Sequence, residues 1–294
     1  MSRTSAEIGR HLKSATSLKS VVRTMKSLAL VSLGPYERAA QTLAVYEASI
    51  EYGFRAVLWN APDAVIEKVC RGVPGRVGVV VFGTDHGMAA DFNERLARFT
   101  ESECPNRGDG FFIWPVGELV ASRLEGFGQA LSAPYRVPES VESIPGLLSQ
   151  LVQDIEKKRA HEGLSRVIVH FQTPIWGAGC EPASAPLLPL DPRQVETIRK
   201  LEWPSRRLPE SFNDFDSTLA ALLREHLFIR LFRACVRSGA AEHSVRLAAM
   251  QRAEHNIDEL LESLGREYHE QRQAMISEEL FDVIAGFEVL KSRP

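Results

Sequence analysis

The sequence predicts an α/β (Rossmann-like) domain inserted between two long terminal helices that pair antiparallel as a coiled coil. Three observations support this fold class: helical apolar periodicity at both ends, short β-rich runs in the middle, and opposite charge on the two ends. The chain has 294 residues, of which 44% are hydrophobic and 25% charged, so it can bury a sizeable core. We expect residues 1–58 and 215–294 to form the helical shaft, residues 72–200 the α/β domain and residues 201–214 a linker.

The N-terminal segment has the pattern of an amphipathic helix from about Thr4 to Ala56. Gly34-Pro35 predicts a break or kink, because Pro35 lacks a backbone N–H donor and its ring clashes with the preceding turn. Helical character resumes after this pair. The apolar stripe before it steps by three or four residues through Ile8, Leu12, Ala15, Leu18, Val22, Met25 and Ala29.

The middle of the chain alternates short apolar runs with helical patterns. This alternation is typical of an α/β layer with a largely parallel, buried sheet. A proline-rich stretch at 181–192 is expected to separate this domain from the helix that follows. The β-rich runs are 77–82, 111–114 and 166–171, and the helical patterns between them are 91–100 and 141–160.

The last part of the chain, from Phe215 to Leu290, is helical again and lacks proline after Glu242. A helix over that last stretch would be about 70 Å long, which predicts a coiled-coil partner. Residues 1–40 carry 7 Lys/Arg and 2 Asp/Glu, whereas residues 242–290 carry 4 and 11. Opposite charges favour antiparallel pairing of the two ends. The apolar seam must supply the stability, since an exposed ion pair contributes only about 0–1 kcal/mol.

Composition excludes several classes of function. A formal net charge of −3 argues against whole-protein binding to nucleic acid. The longest strongly apolar stretch, Val77 to Phe82, is far shorter than the roughly 20 residues of a spanning helix, so membrane contact is expected only through partners. The four cysteines are far apart in sequence and are expected to be reduced, buried thiols. We expect neither a metal nor a cofactor.

The turn Gly83-Thr84-Asp85-His86-Gly87 follows a predicted strand, where α/β domains often bind ligands. It fits neither GxGxxG nor GxxxxGK[ST], and Asp85 would repel a phosphate. No Ser or Cys nucleophile accompanies Asp85 and His86, so we predict no catalytic residue. A tight strand-to-helix turn is the preferred interpretation, and an α/β enzyme that uses the turn from Thr84 to Asp91 is kept as an alternative.

The C-terminal run from Ala240 to Leu290 resembles, without a gap, the C-terminal helix of the γ subunit of F-type ATP synthases. LKSATSLKSVVRTMKSLALVS is similar to the first helix of that family, with Met25 and Lys26 in register, and TDHGMAADFN is similar to its TDRGLCGGFN-like turn. EPASAPLLPL is similar to the stretch before its second long helix. The matching C-terminal positions are Glu242-His243, Arg246, Ala249-Met250, Ala253, Asn256, Glu267-Tyr268, Arg272-Gln273, Ile276, Glu279, Ile284 and Gly286.

The sequence also departs from the usual pattern of that family. Leu18 to Val22 replaces a polar run, Ser32 to Arg38 replaces a basic stretch, and Ala90-Asp91 replaces a Gly-Gly pair. The N-terminal pattern looks closer to the alternate, N-type bacterial rotary ATPases. A coiled-coil scaffold that kept the fold but lost rotor function is therefore a second alternative, motivated by these changes and by Gly34-Pro35.

The resemblance implies a non-catalytic rotor subunit. In that family the two helices stand inside a ring of three α and three β subunits, and the α/β domain meets the c-ring and the small ε subunit. Rotation of the subunit couples H⁺ or Na⁺ flow to ATP synthesis or hydrolysis; the sequence leaves the ion and the direction open. The implied location is peripheral, at the cytoplasmic face of the bacterial plasma membrane.

The resemblance also assigns partner-binding residues. A guanidinium beside an amide can hold a carboxylate through several directed hydrogen bonds, although without the resemblance such a pair would be an ordinary surface feature. The residues expected to contact β are Arg272, Gln273, Ser277 (where the family usually has Thr) and Met25. The helix tip expected to enter an apolar sleeve comprises Val283, Ile284, Phe287 and Leu290, and the candidate c-ring foot comprises Arg206, Arg207 and Glu210.

Overall fold

A computed structural model describes residues 4–59, 61–71, 74–105, 110–128, 131–175, 179–200 and 214–291. The predicted fold class is confirmed, because long helices at both ends flank a domain built on a mixed sheet. The chain forms two compact units: Met1–Leu28 with Leu247–Pro294, and Ala29–Arg246. The elements in order are α1 (Ser5–Leu58), α2 (Asp63–Arg71), β1 (Arg76–Phe82), α3 (Phe92–Glu103), β2 (Phe111–Val116), α4 (Glu118–Gly126), α5 (Ile144–Glu162), β3 (Leu164–Ile175), β4 (Gly179–Leu188), α6 (Pro192–Lys200) and α7 (Phe215–Lys291).

The sheet of the second unit has four strands in the order β2-β1-β3-β4. Strand β1 pairs in parallel with β2 and β3, whereas β4 pairs antiparallel with β3. The parallel centre agrees with the apolar runs. Residues 181–192, expected to separate this domain from the helix that follows, instead lie mostly in β4, within the sheet. Pro182 and Pro186 are compatible with a strand here because β4 lies at the sheet edge, where a missing N–H donor is tolerated.

Helices cover both faces of the central strand β1. Val80 and Phe82 belong to an apolar cluster with residues of α5 and α7. Val79 and Val81 belong to a second cluster with residues of α3 and α4. Burial on both faces explains why the sequence of β1 is continuously apolar instead of alternating.

Helix α1 buries one residue in every seven along much of its length. A strict seven-residue repeat is the pattern of a left-handed coiled-coil seam. Of the break or kink predicted at Gly34-Pro35, the break is wrong, since α1 continues through Pro35. Pro35 leaves the Val31 carbonyl without its helical donor, and Val31 is 74% exposed, so water can reach that carbonyl. The buried positions are Ile8, Ala15, Val22, Ala29, Tyr36, Leu43 and Ile50.

Helix α7 is 77 residues long and confirms the predicted C-terminal helix. Its buried positions Met250, Ile257 and Leu264 are also seven residues apart. Both long helices therefore carry the same apolar period, as expected of partners in one seam. No described helix is both long and apolar enough to cross a membrane.

Candidate functional site

In the first unit, the beginning of α1 and the end of α7 run antiparallel. A Cβ atom on Gly9 would lie 3.8 Å from the ring of Tyr268, whereas Lys19 forms an ion pair with Asp258 farther along. As the residue number rises on α1, the number of its neighbour on α7 falls. The opposite charges predicted from the sequence thus face each other across the pair.

Glu254 of α7 binds two cations of α1. The Arg23 Nε donates to Glu254 Oε1 at 2.8 Å, and the Lys26 Nζ donates to Glu254 Oε2 at 2.5 Å. The hydrogen bonds from Lys26 and Arg23 lower the pKa of Glu254 to about 2, so this carboxylate is charged at neutral pH. Net charge predicts the sign of this contact but not its register, because a seven-residue repeat is compatible with several registers of the two helices.

Met25 lies at the side of this seam. It is half-buried and packs against the cluster of Val22, Met250 and Ile257. The resemblance predicts a contact of Met25 with β; within the chain itself, Met25 makes a contact inside the helix pair. A polar group at this position would therefore disturb the seam beside Glu254.

Arg272, Gln273 and Ser277 are all exposed on α7. The Ser277 Oγ donates to the Gln273 carbonyl oxygen at 3.0 Å, so this hydroxyl is hydrogen-bonded to the backbone of its own helix. Within the described part of the chain, Arg272 forms no ion pair. Its guanidinium and the neighbouring Gln273 amide are therefore accessible to another molecule.

The end of α7 exposes a group of large apolar side chains. Gly9 lies beside Tyr268, so the part of α7 beyond about residue 272 extends past the first described residues of α1. Exposed apolar side chains in one patch mark a surface that another molecule covers. The predicted tip residues Phe287 and Leu290 lie on α7, but their side chains fall outside the described residues. The exposed group comprises Met275, Ile276, Leu280, Phe281, Val283 and Ile284, which are 48–69% exposed.

The predicted foot falls where the structure gives no description. Arg206, Arg207 and Glu210 all lie outside the described residues, between the end of α6 at Lys200 and the start of α7 at Phe215. Their role remains the expectation drawn from the resemblance.

The turn after β1, in the second unit, is fixed by polar side chains. The Thr84 backbone N–H donates to Asn93 Oδ1 at 3.1 Å, and Asn93 Nδ2 donates to Thr84 Oγ1 at 2.8 Å. Both oxygens of Asp85 accept backbone N–H groups, from Glu118 at 2.9 Å and Val137 at 2.8 Å. A carboxylate used in this way ties loops together, which favours the structural interpretation of this turn over an enzyme site.

Two residues of the same turn have left-handed backbone conformations. Met88 has a φ of 64° and Ala90 a φ of 48°. Ala90 is one of the positions where the family that the sequence resembles has glycine, the residue that adopts this conformation without strain. Such a conformation costs a residue with a Cβ atom about 1–2 kcal/mol.

Three histidines of the second unit are held neutral by burial. Loss of hydration lowers the pKa values of His170, His226 and His243 to about 4 each. The His170 Nδ1 and the Thr100 Oγ1 share one hydrogen bond at 3.0 Å. Burial also raises the pKa of the Cys104 thiol to about 11, as expected of an unreactive core cysteine.

The family model described as ATP synthase matches residues 4–290 of the chain. The chain is 25% identical over 298 residues to the ATP synthase gamma chain of Thermobifida fusca, covering 96% of this chain and 94% of that one. It is 28% identical over 225 residues to the ATP synthase gamma chain of Anaeromyxobacter sp. strain K, covering 72% of each.

Solved structures give the same result for the fold. A chain of the Euglena gracilis mitochondrial ATP synthase, in a structure of OSCP, F1 and c-ring, aligns with a TM-score of 0.64 at 16% identity. The alignment covers 98% of this chain and 95% of that one. A chain from the central stalk and c-ring of the Tetrahymena thermophila enzyme aligns with a TM-score of 0.57 at 16% identity, covering 79% and 99%.

Proposed function

Because the chain belongs to the ATP synthase family, whose model spans residues 4–290, we propose that it acts as the γ subunit of an F-type rotary ATP synthase. In this role it is the central rotor shaft. Its rotation couples transmembrane flow of H⁺ or Na⁺ to ATP synthesis or hydrolysis at sites on other subunits. The departures near Leu18 and Ser32 support the N-type variant as part of the proposal.

The exposed apolar end of α7 is the observation that carries this proposal. Phe281 and Val283 are each 69% exposed, on a helix that extends beyond the described start of its antiparallel partner. Exposure of such an apolar patch to water is unfavourable, so a partner is expected to cover it. A sleeve of apolar side chains that holds a turning shaft accounts for the patch, because non-directional contacts allow rotation.

The proposed partners are the ring of three α and three β subunits, the ε subunit and the c-ring. The similar chain of the Euglena gracilis enzyme was solved with F1 and a c-ring, and that of the Tetrahymena thermophila enzyme with the central stalk and c-ring, which supports an ATP synthase as the setting. We propose that residues 1–58 and 215–294 form the shaft, that residues 72–200 form the foot domain, and that residues 201–214, with Arg206, Arg207 and Glu210, meet the c-ring. The chain would then lie peripherally at the cytoplasmic face of the bacterial plasma membrane.

Arg272 and Gln273 are the proposed grip on β. Both side chains are exposed, and a guanidinium beside an amide suits a carboxylate on a passing loop. A charge-assisted hydrogen bond contributes about 1.5–3 kcal/mol, which can bias a rotor angle and still break at each step. Ser277 and Met25 are proposed as further contacts with β.

Neither alternative gains support from an observation. The scaffold hypothesis drew on the changes from the family pattern and on Gly34-Pro35, and α1 is continuous through Pro35. The enzyme hypothesis drew on the turn from Thr84 to Asp91, but both Asp85 oxygens are occupied by backbone donors.

The proposed function is tested by co-purification. The tagged chain is expressed with its α and β partners, and the recovered complex is assayed for subunit ratio and ATPase activity. We expect three α and three β subunits for each tagged chain, with active hydrolysis. Recovery of the chain alone, folded and monomeric, would overturn the proposal.

The proposed grip is tested by Arg272→Ala combined with Gln273→Ala. We expect ATPase activity or complex yield to fall about tenfold, as for the loss of one charge-assisted hydrogen bond. The matched control is Gln251→Ala with Arg252→Ala, which removes the same two residue types at another exposed place on α7. Equal effects of the two double variants would exclude a specific grip at 272–273.

A further inference from the structure

Two polar side chains of α7, Ser238 and Arg246, contact the end of β1 and the turn that follows it, and Glu242 pairs with Arg246. The Ser238 Oγ donates to the Phe82 carbonyl oxygen at 2.8 Å in a buried contact. The Arg246 guanidinium donates to Glu242 Oε1 at 2.5 Å. The same guanidinium makes longer contacts with the carbonyl oxygens of His86, at 3.5 Å, and Gly87, at 3.4 Å. We call Ser238, Glu242 and Arg246 the α7 clamp.

The α7 clamp occupies one face of the helix. Its members are four residues apart, so their side chains lie one above another along the helix. On a neighbouring face, the Tyr36 ring packs closely against Gly239 and lies 5.3 Å from the His243 ring, measured between centroids. Apolar packing already holds this segment of α7, and the clamp adds polar contacts directed at backbone atoms.

The ion pair of the clamp is buried, which is an inefficient way to gain stability. Glu242 is 8% exposed, and burial raises its pKa while Arg246 opposes that rise. An apolar pair of similar volume would usually stabilise a core as well or better. The clamp differs from an apolar contact in direction: hydrogen bonds weaken steeply when their angle changes, whereas apolar contacts have no preferred direction.

We propose that Ser238, Glu242 and Arg246 are positioning residues that prevent α7 from turning about its own axis relative to the α/β domain. This inference rests on the proposed function, in which torque passes between that domain and the helix. Under load, a helix held by apolar contacts alone can repack its side chains and turn. The clamp resists such a turn because it ends on carbonyl oxygens at the end of β1 and in the following turn.

The test uses the complex assembled with its partners in lipid vesicles. The main variant is Glu242→Gln combined with Arg246→Met, which removes both buried charges together and so leaves neither unpaired. Ser238→Ala is added to it in a second variant, and Arg246→Lys is a conservative one. For each, we measure ATP hydrolysis and ATP-driven ion uptake, the latter with a proton-sensitive dye and with radioactive sodium. Thermal unfolding of the isolated chain reports on folding.

The control is Arg224→Met. Arg224 also joins α7 to the α/β domain, through two hydrogen bonds to Glu156 of α5 at 2.9 and 3.0 Å. That pair is at the surface, with 60% of the Arg224 side chain exposed against 11% for Arg246. The Arg224–Glu156 pair is therefore an arginine–glutamate ion pair like that of the clamp, but in a place where water can replace the contact.

We expect the main double variant to hydrolyse ATP normally and to transport about threefold fewer ions per ATP, with a larger loss when Ser238→Ala is added. Arg246→Lys should recover part of the ratio, and Arg224→Met should leave it unchanged. The inference is overturned if the ratio stays at the wild-type value, or if hydrolysis and transport fall in proportion, as a general loss of folded protein would cause. A wild-type complex that neither hydrolyses ATP nor transports ions overturns the proposed function, and the inference with it.

Discussion

The two units of the chain are stabilised in different ways. In the second unit, apolar side chains such as Leu151 and Ile113 are fully buried and cover both faces of a sheet. In the first unit, the seam is narrow and includes residues as small as Ala15, while Leu18 and Leu260 beside it are 54% and 49% exposed. The second unit has a core of its own, whereas the first has a seam and a large exposed apolar surface.

The two kinds of stabilisation indicate which unit a partner would complete. A sheet covered on both faces buries enough apolar area to fold by itself. A pair of long helices with one buried residue in seven gains less from burial, and its ion pairs around Glu254 are partly exposed and screened by salt. The helix pair is therefore suited to a protein that is completed by a surrounding assembly.

The two units should differ most in how their stability changes when the pH is lowered. In the second unit, His170, His226 and His243 have folded-state pKa values of about 4, below the usual 6.5. Between these two values the unfolded chain binds more protons than the folded chain, so the stability of the second unit falls as the pH drops from 6.5 towards 4. Glu254 of the helix pair has a pKa of about 2 against 4.5, so its contribution is lost only below pH 4.5.

Hydrogen exchange at about pH 5 checks this order, with peptides from each unit measured separately. We expect protection to decrease in β1 and β3 before it decreases in residues 8–22 and 250–264. Earlier loss of protection in the helix pair would contradict the assignment of the acid-sensitive groups to the second unit.

The next largest difference is expected between leucine substitutions in the two units. Leu151→Ala removes a fully buried side chain and should lower the free energy of unfolding by about 2–5 kcal/mol, including the cavity left behind. Leu280→Ala, at a position 59% exposed, should change it by less than about 0.5 kcal/mol in the isolated chain. Urea unfolding measures both, and equal losses would show that Leu280 is buried within the free chain.

Two glycines of α7 should respond in opposite directions. A Cβ on Gly239, in the second unit, would lie 2.3 Å from the ring of the buried Tyr36, so Gly239→Ala should destabilise the chain by about 1–3 kcal/mol. Gly265, in the first unit, has open space around it, so Gly265→Ala should stabilise by about 0.5–1 kcal/mol through helix propensity. Thermal unfolding of the two variants compares them, and the same sign for both would refute this difference in packing.

An effect of similar size is expected in the turn after β1. Ala90→Gly should stabilise the chain by about 1 kcal/mol, since glycine adopts the φ of 48° without strain. Ala89→Gly is the control, because Ala89 is buried against Phe92 and should lose packing when shortened. Chemical denaturation of both is the measurement, and destabilisation by Ala90→Gly would show that the turn is not strained at this residue.

Much of the fold was predictable from local pattern. The periodicity from Ile8 to Ala29 predicted a helix, and the continuous apolar run at 77–82 predicted a buried strand. Strand β4 was not predictable, because its prolines are unfavourable in strands unless the strand lies at an edge, and edge position is a property of the whole sheet. The continuity of α1 through Pro35 was likewise not predictable, because it depends on the surroundings of Val31, which is 74% exposed in the folded chain.

The candidate site was predictable in part. The exposed positions of Arg272 and Gln273 on a helix followed from the sequence and from the resemblance, as did the apolar tip. Glu254 was not singled out, because its partners Arg23 and Lys26 lie more than 200 residues away in sequence. The α7 clamp was not predictable either, because its backbone partners Phe82, His86 and Gly87 lie 156–160 residues away in sequence, although Glu242 and Arg246 were among the matching positions.

The sequence by itself determined which segments are helix or strand, which face of each is apolar, and which end of the chain carries which charge. These properties depend on residues a few positions apart, so the periodicity and composition of the sequence predict them. Only the tertiary structure decided the register of the helix pair, the place of β4 and the contacts of Glu254, Ser238 and Arg246. Those depend on distances between residues far apart in the chain, which are fixed when the apolar surfaces close together and the polar groups between them find partners.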